Sequence, residues 1–164
     1  VIARLTDLGY GTRLRELFAP DREGAPLDRE LPPALASACL RVLKEWDWSE
    51  RPVAVAWLPS VGRPGLVESL GSGIARAGGL VPLGPLTLHG ESSVPSANSA
   101  FRVRDLWRRF SVPPEMAGRL RSLGGPVLLV DDLIDSRWTM TVAGRLLRLA
   151  GAPSVLPLAL ASVA

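Results

Sequence analysis

The chain has 164 residues, of which 47% are hydrophobic and 21% are charged, a balance typical of one globular domain with a sizeable core. No apolar run approaches the ~20 residues that a membrane-spanning helix needs, so we expect no membrane partner. The formal net charge of +3 is modest, although Lys44 is the only lysine among 19 basic residues. Arginine binds phosphates and carboxylates well, but a general compositional bias explains the overall count more simply.

The first residue and the single cysteine predict a larger parent protein and a reducing compartment. Val1 is not a methionine and no signal-peptide pattern follows it, so we expect a segment of a larger protein. Cys39 has no partner for an internal disulfide and lies among apolar residues at helical spacing. We therefore expect a buried thiol and a reducing, cytoplasmic compartment.

The first third of the chain predicts helices joined by a linker. Apolar residues recur at helical spacing over residues 1–19 and again over residues 34–47. Residues 20–33 are polar and contain prolines, as in a linker or an exposed loop. We therefore predict an N-terminal helical cap and linker over residues 1–50, followed by the core of the domain over residues 51–164.

The rest of the chain alternates between strand and helix patterns. The predicted strands cover residues 53–58, 80–88, 126–131 and 155–160, and apolar helical stripes cover residues 64–77, 101–110, 114–122 and 139–150. Gly71 and Gly73 weaken the first of these helices by up to ~1 kcal/mol each unless a close contact needs them. The alternation predicts an α/β fold with a parallel sheet flanked by helices.

Residues 126–139 carry the most informative motif. The aliphatic run Val127–Val130 predicts a buried parallel strand. Asp131 and Asp132 follow it, and Thr139 opens a helical pattern after a polar loop. Open α/β sheets hold phosphorylated ligands at the carboxyl ends of their strands, where carboxylates accept from sugar hydroxyls and amides donate to phosphate. The plainer interpretation is that these aspartates only terminate the strand and cap the helix.

The candidate ligand-binding residues share a place at this predicted edge of the sheet. They are Asp131, Asp132, Asp135, Ser136, Arg137, Trp138 and Thr139 from the motif, and Ser60 and Arg63 from the turn after the strand over 53–58. No catalytic residue stands out, because His89 is the only histidine and falls in a predicted exposed loop over residues 89–98. No His or Cys spacing is typical of a metal site, so none is expected from protein ligands alone.

The motif resembles the phosphoribosyl pyrophosphate loop of type I phosphoribosyltransferases. Val-Leu-Leu-Val-Asp-Asp at 127–132, the hydroxyl-bearing loop and Thr139 carry the resemblance, and residues 55–63 are similar to the strand and loop that contact pyrophosphate. The resemblance implies that the paired acids bind the ribose 2′- and 3′-hydroxyls, that the loop binds the 5′-phosphate, and that Mg²⁺ accompanies a phosphoribosyl ligand. Those enzymes usually have Thr-Gly at the loop centre, where this chain has Ser136-Arg137-Trp138. The larger side chains crowd the loop and favour binding without turnover.

The whole chain also resembles the C-terminal extension of some bacterial RecQ-like ATP-dependent DNA helicases. The matching segments are 3–18, 51–53, 98–100, 125–132 and 135–139. The resemblance implies helicase motor domains in the same parent chain, although this segment has no Gly-x-x-x-x-Gly-Lys-[Ser/Thr] loop and is not the motor. Two functions remain open. One is an accessory domain that binds a phosphoribosyl or nucleotide ligand, or DNA, without turnover; the other is an active phosphoribosyltransferase that uses phosphoribosyl pyrophosphate and Mg²⁺. A third and plainer possibility is a scaffold that binds no ligand.

A basic stretch between residues 102 and 121 is a candidate DNA contact. Its arginines are Arg102, Arg104, Arg108, Arg109, Arg119 and Arg121. Trp107 and Phe110 are interleaved with them, and arginines with aromatic residues can follow a nucleic-acid backbone. The competing interpretation is an amphipathic helix that places Trp107 and Phe110 in the core and the arginines in solvent.

Overall fold

The computed structural model describes residues 2–90, 107–135 and 137–163. Most of the predicted loop over 89–98, most of the helical stripe over 101–110, and Ser136 therefore lie outside the described residues. Arg102 and Arg104 of the basic stretch also lie outside them. Among the helices that the structure describes, none is long and apolar enough to cross a bilayer.

A parallel sheet organises the domain. Its strands are β1 (Ala3–Arg4), β2 (Ala54–Trp57), β3 (Val81–Pro85), β6 (Val127–Ile134) and β7 (Val155–Ser162), in the spatial order β1-β7-β6-β2-β3. Strands β4 (Thr87–Leu88) and β5 (Phe110–Ser111) form a separate antiparallel ladder. The inner strand β2 is buried at every residue, because helices cover both faces of a parallel sheet.

Helices pack on both faces of this sheet. They are α1 (Tyr10–Phe18), α2 (Pro33–Glu45), α3 (Pro64–Gly78), α4 (Pro114–Leu123) and α5 (Arg137–Ala150). Side chains of α1, α2 and α3 share one apolar core with alternate residues of the central strands. Side chains of α4, α5 and the β4–β5 ladder share the other core with the intervening residues. The prediction of a parallel sheet flanked by helices is thus confirmed.

Most predicted elements agree with the structure, and their ends show where local patterns fail. The strand predicted to end at Asp131 continues to Ile134, so that boundary was wrong. The extension exists because Leu133 and Ile134 pair with Ala161 and Ser162 of β7. The helix predicted from Thr139 begins two residues earlier, at Arg137.

The N-terminal region holds a strand that the sequence did not predict. Ala3 and Arg4 lie in β1, at the edge of the sheet, and pair with Ala161 and Ser162. A two-residue strand is too short to show an alternating pattern, so the helical prediction over 1–19 holds only for α1. The predicted strand over 80–88 divides between the sheet edge, β3, and the ladder strand β4.

The prediction that Cys39 is buried is confirmed, and the structure shows which of the two α3 glycines a close contact needs. Cys39 is buried, and its burial raises the pKa of the thiol to about 12, so the group stays protonated. Gly71 is required by a close contact, because a Cβ atom there would lie 2.8 Å from Cδ2 of Trp57. Gly73, two residues along α3, has open space around it.

Candidate functional site

A cavity of about 250 Å³ lies at the carboxyl edge of the sheet, where β2 ends and β6 carries the acid pair. It is lined by Leu58, Pro59, Ser60 and Val61 after β2, by Asp131, Asp132 and Leu133 of β6, by Thr139 of α5, and by Leu88, Arg109 and Phe110 of the ladder region. The carboxyl ends of parallel strands are the usual ligand position in open α/β sheets. The structure therefore brings residues from five separate segments to one concave site.

The two carboxylates of β6 face different environments. Leu129 belongs to the core under α4 and α5, and Val130 to the core under α1, α2 and α3. Because successive strand residues alternate, Asp131 projects towards α5 and the ladder, and Asp132 towards α1 and α3. Asp132 is only 6% exposed, whereas Asp131 is half-buried.

The pKa of Asp131 is raised to about 8. Burial is the main cause, because it disfavours the charged form, and the negative charge of Asp132 adds to the effect. Oδ1 of Asp131 also accepts a hydrogen bond from the Asp132 N–H at 2.9 Å. Near neutral pH Asp131 is therefore largely a carboxylic acid, which can donate one hydrogen bond to a ligand as well as accept others.

Arg63 is held between two elements behind the cavity. Its Nη1 donates to Oδ2 of Asp132 at 3.1 Å, and its Cζ lies 4.6 Å from the ring centroid of Phe18 in α1. Its backbone N–H donates to Oγ of Ser60 at 3.1 Å, which closes the turn between β2 and α3. The Nε atom of Arg63 is buried without a hydrogen-bond partner among the described residues.

The linker before α2 occupies the N-terminus of α3. The Asp28 carboxylate accepts hydrogen bonds from the N–H groups of Gly65 and Leu66, at 2.9 Å and 3.0 Å. Asp28 is therefore a cap supplied from 37 residues away, which stabilises the end of the helix through its amides and its dipole. Any ligand anion at this helix end would have to displace the Asp28 carboxylate.

Arg109 is a site residue that the sequence interpretation did not identify. It was grouped with the basic stretch, yet it is half-buried, lines the cavity, and has a buried Nε atom without a partner among the described residues. The other described arginines of that stretch, Arg108, Arg119 and Arg121, are exposed. No local pattern distinguishes Arg109 from its neighbours, because its position depends on the β4–β5 pairing.

The remaining candidates lie outside the cavity lining. Asp135, Arg137 and Trp138 are exposed, and Ser136 is outside the described residues. A ligand contact for these residues stays a prediction. His89 is exposed, as expected, and its Nε2 lies 2.6 Å from Oγ of Ser111. Among the described residues, no group of three or more His, Cys, Asp or Glu side chains is placed to bind a metal ion.

Comparisons with solved structures agree with this architecture. The chain matches adenine phosphoribosyltransferase from Saccharomyces cerevisiae, complexed with an imino-altritol bisphosphate and adenine, at a TM-score of 0.54 and 16% identity, over 93% of this chain and 88% of that one. The chain has a type I phosphoribosyltransferase-like fold. A second adenine phosphoribosyltransferase structure matches at a TM-score of 0.52 and 16% identity, over 94% and 89% of the two chains. No family model and no curated protein sequence matches the chain.

The charges around the cavity of this phosphoribosyltransferase-like domain favour an anionic ligand. The Arg109 guanidinium lines the cavity, and the Arg63 guanidinium lies behind it, paired with Asp132. The raised pKa of Asp131 reduces the negative charge that this carboxyl adds to a partly desolvated space, where charges interact more strongly than in water. A molecule with both hydroxyl groups and a phosphate matches this set of donors and acceptors.

We expect Asp131→Asn to stabilise the domain increasingly as the pH rises. The folded pKa of about 8 lies above the ordinary 3.8, so wild-type stability is highest below the unfolded value and falls until the pH passes about 8. Asparagine does not ionise, so the difference between variant and wild type should grow from pH 5 to pH 9. Thermal denaturation at several pH values measures it, with Asp47→Asn, an exposed acid, as the control. A difference that stays constant across this range would contradict the raised pKa.

Proposed function

We propose that the cavity binds a phosphorylated ribose derivative, such as a phosphoribosyl compound or a nucleotide, without transferring it. The observation that carries the proposal is the placement of Asp131, Asp132, Thr139 and Arg109 around one cavity of a phosphoribosyltransferase-like fold. The carboxyl groups suit ribose hydroxyls, and the Thr139 hydroxyl and the Arg109 guanidinium suit a phosphate. In this proposal the unpaired Nε of Arg109 gains a partner when the ligand binds.

Two contacts favour binding over transfer. A departing pyrophosphate needs cationic and amide donors, and the donors nearest to the turn after β2 are already engaged by protein carboxylates. Arg63 is paired with Asp132, and the α3 amides of Gly65 and Leu66 are bound to Asp28. A buried, hydrogen-bonded ion pair is costly to open, so pyrophosphate would have to compete with both acids.

Mg²⁺ accompanies the ligand in this proposal. Magnesium in nucleotide sites is usually held by one or two carboxylates together with substrate phosphates and water. Asp131 and Asp132 provide that number of carboxylates, and the remaining ligands come from the phosphorylated compound. Because Asp131 must lose its proton to bind the ion, any dependence on Mg²⁺ should strengthen as the pH approaches 8.

The parent chain in this proposal is a cytoplasmic RecQ-like DNA helicase. This part rests on the sequence motifs, since the structural comparisons concern the fold alone. The partners are then the motor domains of the same chain, which hydrolyse ATP, and this domain is an accessory module. The second candidate function, an active phosphoribosyltransferase with phosphoribosyl pyrophosphate and Mg²⁺, is favoured by the acid pair and Thr139 sharing one cavity.

Calorimetric titration tests the proposed ligand class. We expect ribose 5-phosphate, AMP or phosphoribosyl pyrophosphate to bind the wild-type chain, and Asp132→Ala to weaken that binding about 10-fold or more, because it removes charged hydrogen-bond acceptors. Glu50→Ala removes an exposed acid from a distant loop and is the control. Failure of all three compounds to bind, with and without Mg²⁺, would overturn the proposal. Steady release of pyrophosphate with any nucleobase would establish the transferase instead.

A further inference from the structure

The exposed face of α5 combines aromatic and basic side chains. The helix buries Met140, Ala143 and Leu147 in the core beside the sheet, and it also buries Val142. Its opposite side carries Trp138, which is 42% exposed, and the exposed arginines Arg145 and Arg148. Residues 137–150 contain three arginines and no acidic residue. Trp138 therefore adds an aromatic ring to a basic surface of the helix.

Trp107 completes the same face from a separate segment. The sequence left Trp107 open between a core position and a nucleic-acid contact, and the structure leaves it 39% exposed. The Cζ atom of Arg145 lies 5.9 Å from the centroid of the Trp107 ring. Trp138 and Arg145 are seven residues apart, so they lie on the same side of α5, about 10 Å apart along its axis. Trp107 therefore lies against Arg145, and Trp138 lies about two turns away on the same side of the helix.

We propose that this α5 face, formed by Trp107, Trp138, Arg145 and Arg148, binds single-stranded nucleic acid. Unpaired bases stack on aromatic side chains, and the phosphates between them attract arginines along the strand. Arg145 can take part in both base stacking and phosphate binding, because a guanidinium group stacks on flat rings and also carries a positive charge. The proposal does not rest on the ligand of the cavity, whose lining includes none of these four residues.

A second pair of tryptophans differs from the α5 face in the charge of the neighbouring residues. Trp46 and Trp48 are stacked with their centroids 4.9 Å apart, and Trp46 is also exposed. In sequence they are surrounded by Glu45, Asp47 and Glu50, whose carboxylates repel phosphates. The chain therefore offers two exposed tryptophans in basic surroundings and one, Trp46, in acidic surroundings, which provides an internal control.

A membrane surface suits the α5 face less well. A helix that lies in a bilayer interface presents a broad apolar side to the lipid, with its basic residues on the polar side. In α5 the apolar side, with Met140 and Leu147, is already packed on the sheet. Two indoles among arginines offer little apolar area to acyl chains but two separate stacking platforms to bases.

Fluorescence anisotropy of the whole chain with a labelled oligothymidylate of about 16 nucleotides tests the proposal. We expect binding at low salt and a fall in affinity as salt rises. Changing Trp107 and Trp138 together to alanine should weaken binding at least about 5-fold, whereas the phenylalanine versions should retain most of it. Changing Arg145 and Arg148 together to alanine should reduce the log–log salt slope by about 1.4, because each lost phosphate contact contributes about 0.7.

The controls distinguish binding at the α5 face from non-specific binding elsewhere on the protein. Trp46→Ala should leave the affinity unchanged, and thermal denaturation shows that each variant is folded. Duplex DNA should bind more weakly than the single strand, because its bases are already stacked. Absence of binding at low salt, equal affinities for the wild type and the double alanine variant, or equal weakening by Trp46→Ala would each overturn the proposal. Stronger binding to phosphatidylserine vesicles, lost in the same double variant, would also overturn it by assigning the face to membranes.

Discussion

Replacement of Arg63 by methionine is expected to destabilise the domain by about 3 kcal/mol at neutral pH. The Arg63 and Asp132 side chains are only 17% and 9% exposed, so water does not replace the lost partner of the Asp132 carboxylate. Arg63 also covers the Phe18 ring, which ties α1 to the site. The variant should therefore lose both the ion pair with Asp132 and the contact with the Phe18 ring of α1.

A double-mutant cycle measures the pair itself. Urea unfolding of Arg63→Met, Asp132→Asn and the double variant should show that the two single effects together exceed the effect of the double, with a coupling of about 1–3 kcal/mol. Arg22→Met, which changes an exposed arginine in the linker, is the matched control and should stay within about 0.5 kcal/mol of wild type. Additive single effects would mean that the two groups do not interact in solution.

Gly71→Ala should destabilise the domain by about 1–3 kcal/mol, as overpacking of a core usually does. The new methyl group would overlap the Trp57 indole, which is buried at the end of β2. Either α3 or the indole must move. Leu58 to Val61 follow Trp57 directly and line the cavity, so ligand affinity should fall with stability.

Gly73→Ala is the matched control for this effect. Both glycines lie inside α3, but a Cβ atom at Gly73 has nothing within 4 Å. Alanine there should stabilise the domain by about 0.5–1 kcal/mol, because it lowers the conformational entropy of the unfolded chain and has a higher helix propensity than glycine. Urea unfolding of both variants gives the comparison. Stabilisation by Gly71→Ala as well as by Gly73→Ala would show that Trp57 does not pack against α3 as described.

The local patterns of the sequence determined the fold class. Aliphatic runs and helical stripes identified β2, β6, β7 and the helices α2 to α5 to within a few residues, because burial on a sheet face or a helix side repeats with a short period. The order of strand, acid pair, loop and helix also located the edge of the sheet where the cavity lies. Asp131, Asp132, Thr139 and Ser60 were recognisable because each follows or precedes such an element.

Only the tertiary structure determined which groups the aspartates bind. Asp132 pairs with an arginine 69 residues away, and Asp28 caps a helix 37 residues away. Arg109 reaches the cavity only because β5 pairs with β4, and Trp107 faces α5 for the same reason. Such contacts join segments that are distant in the chain, and hydrophobic periodicity reports only which side of an element is buried, not what it is buried against.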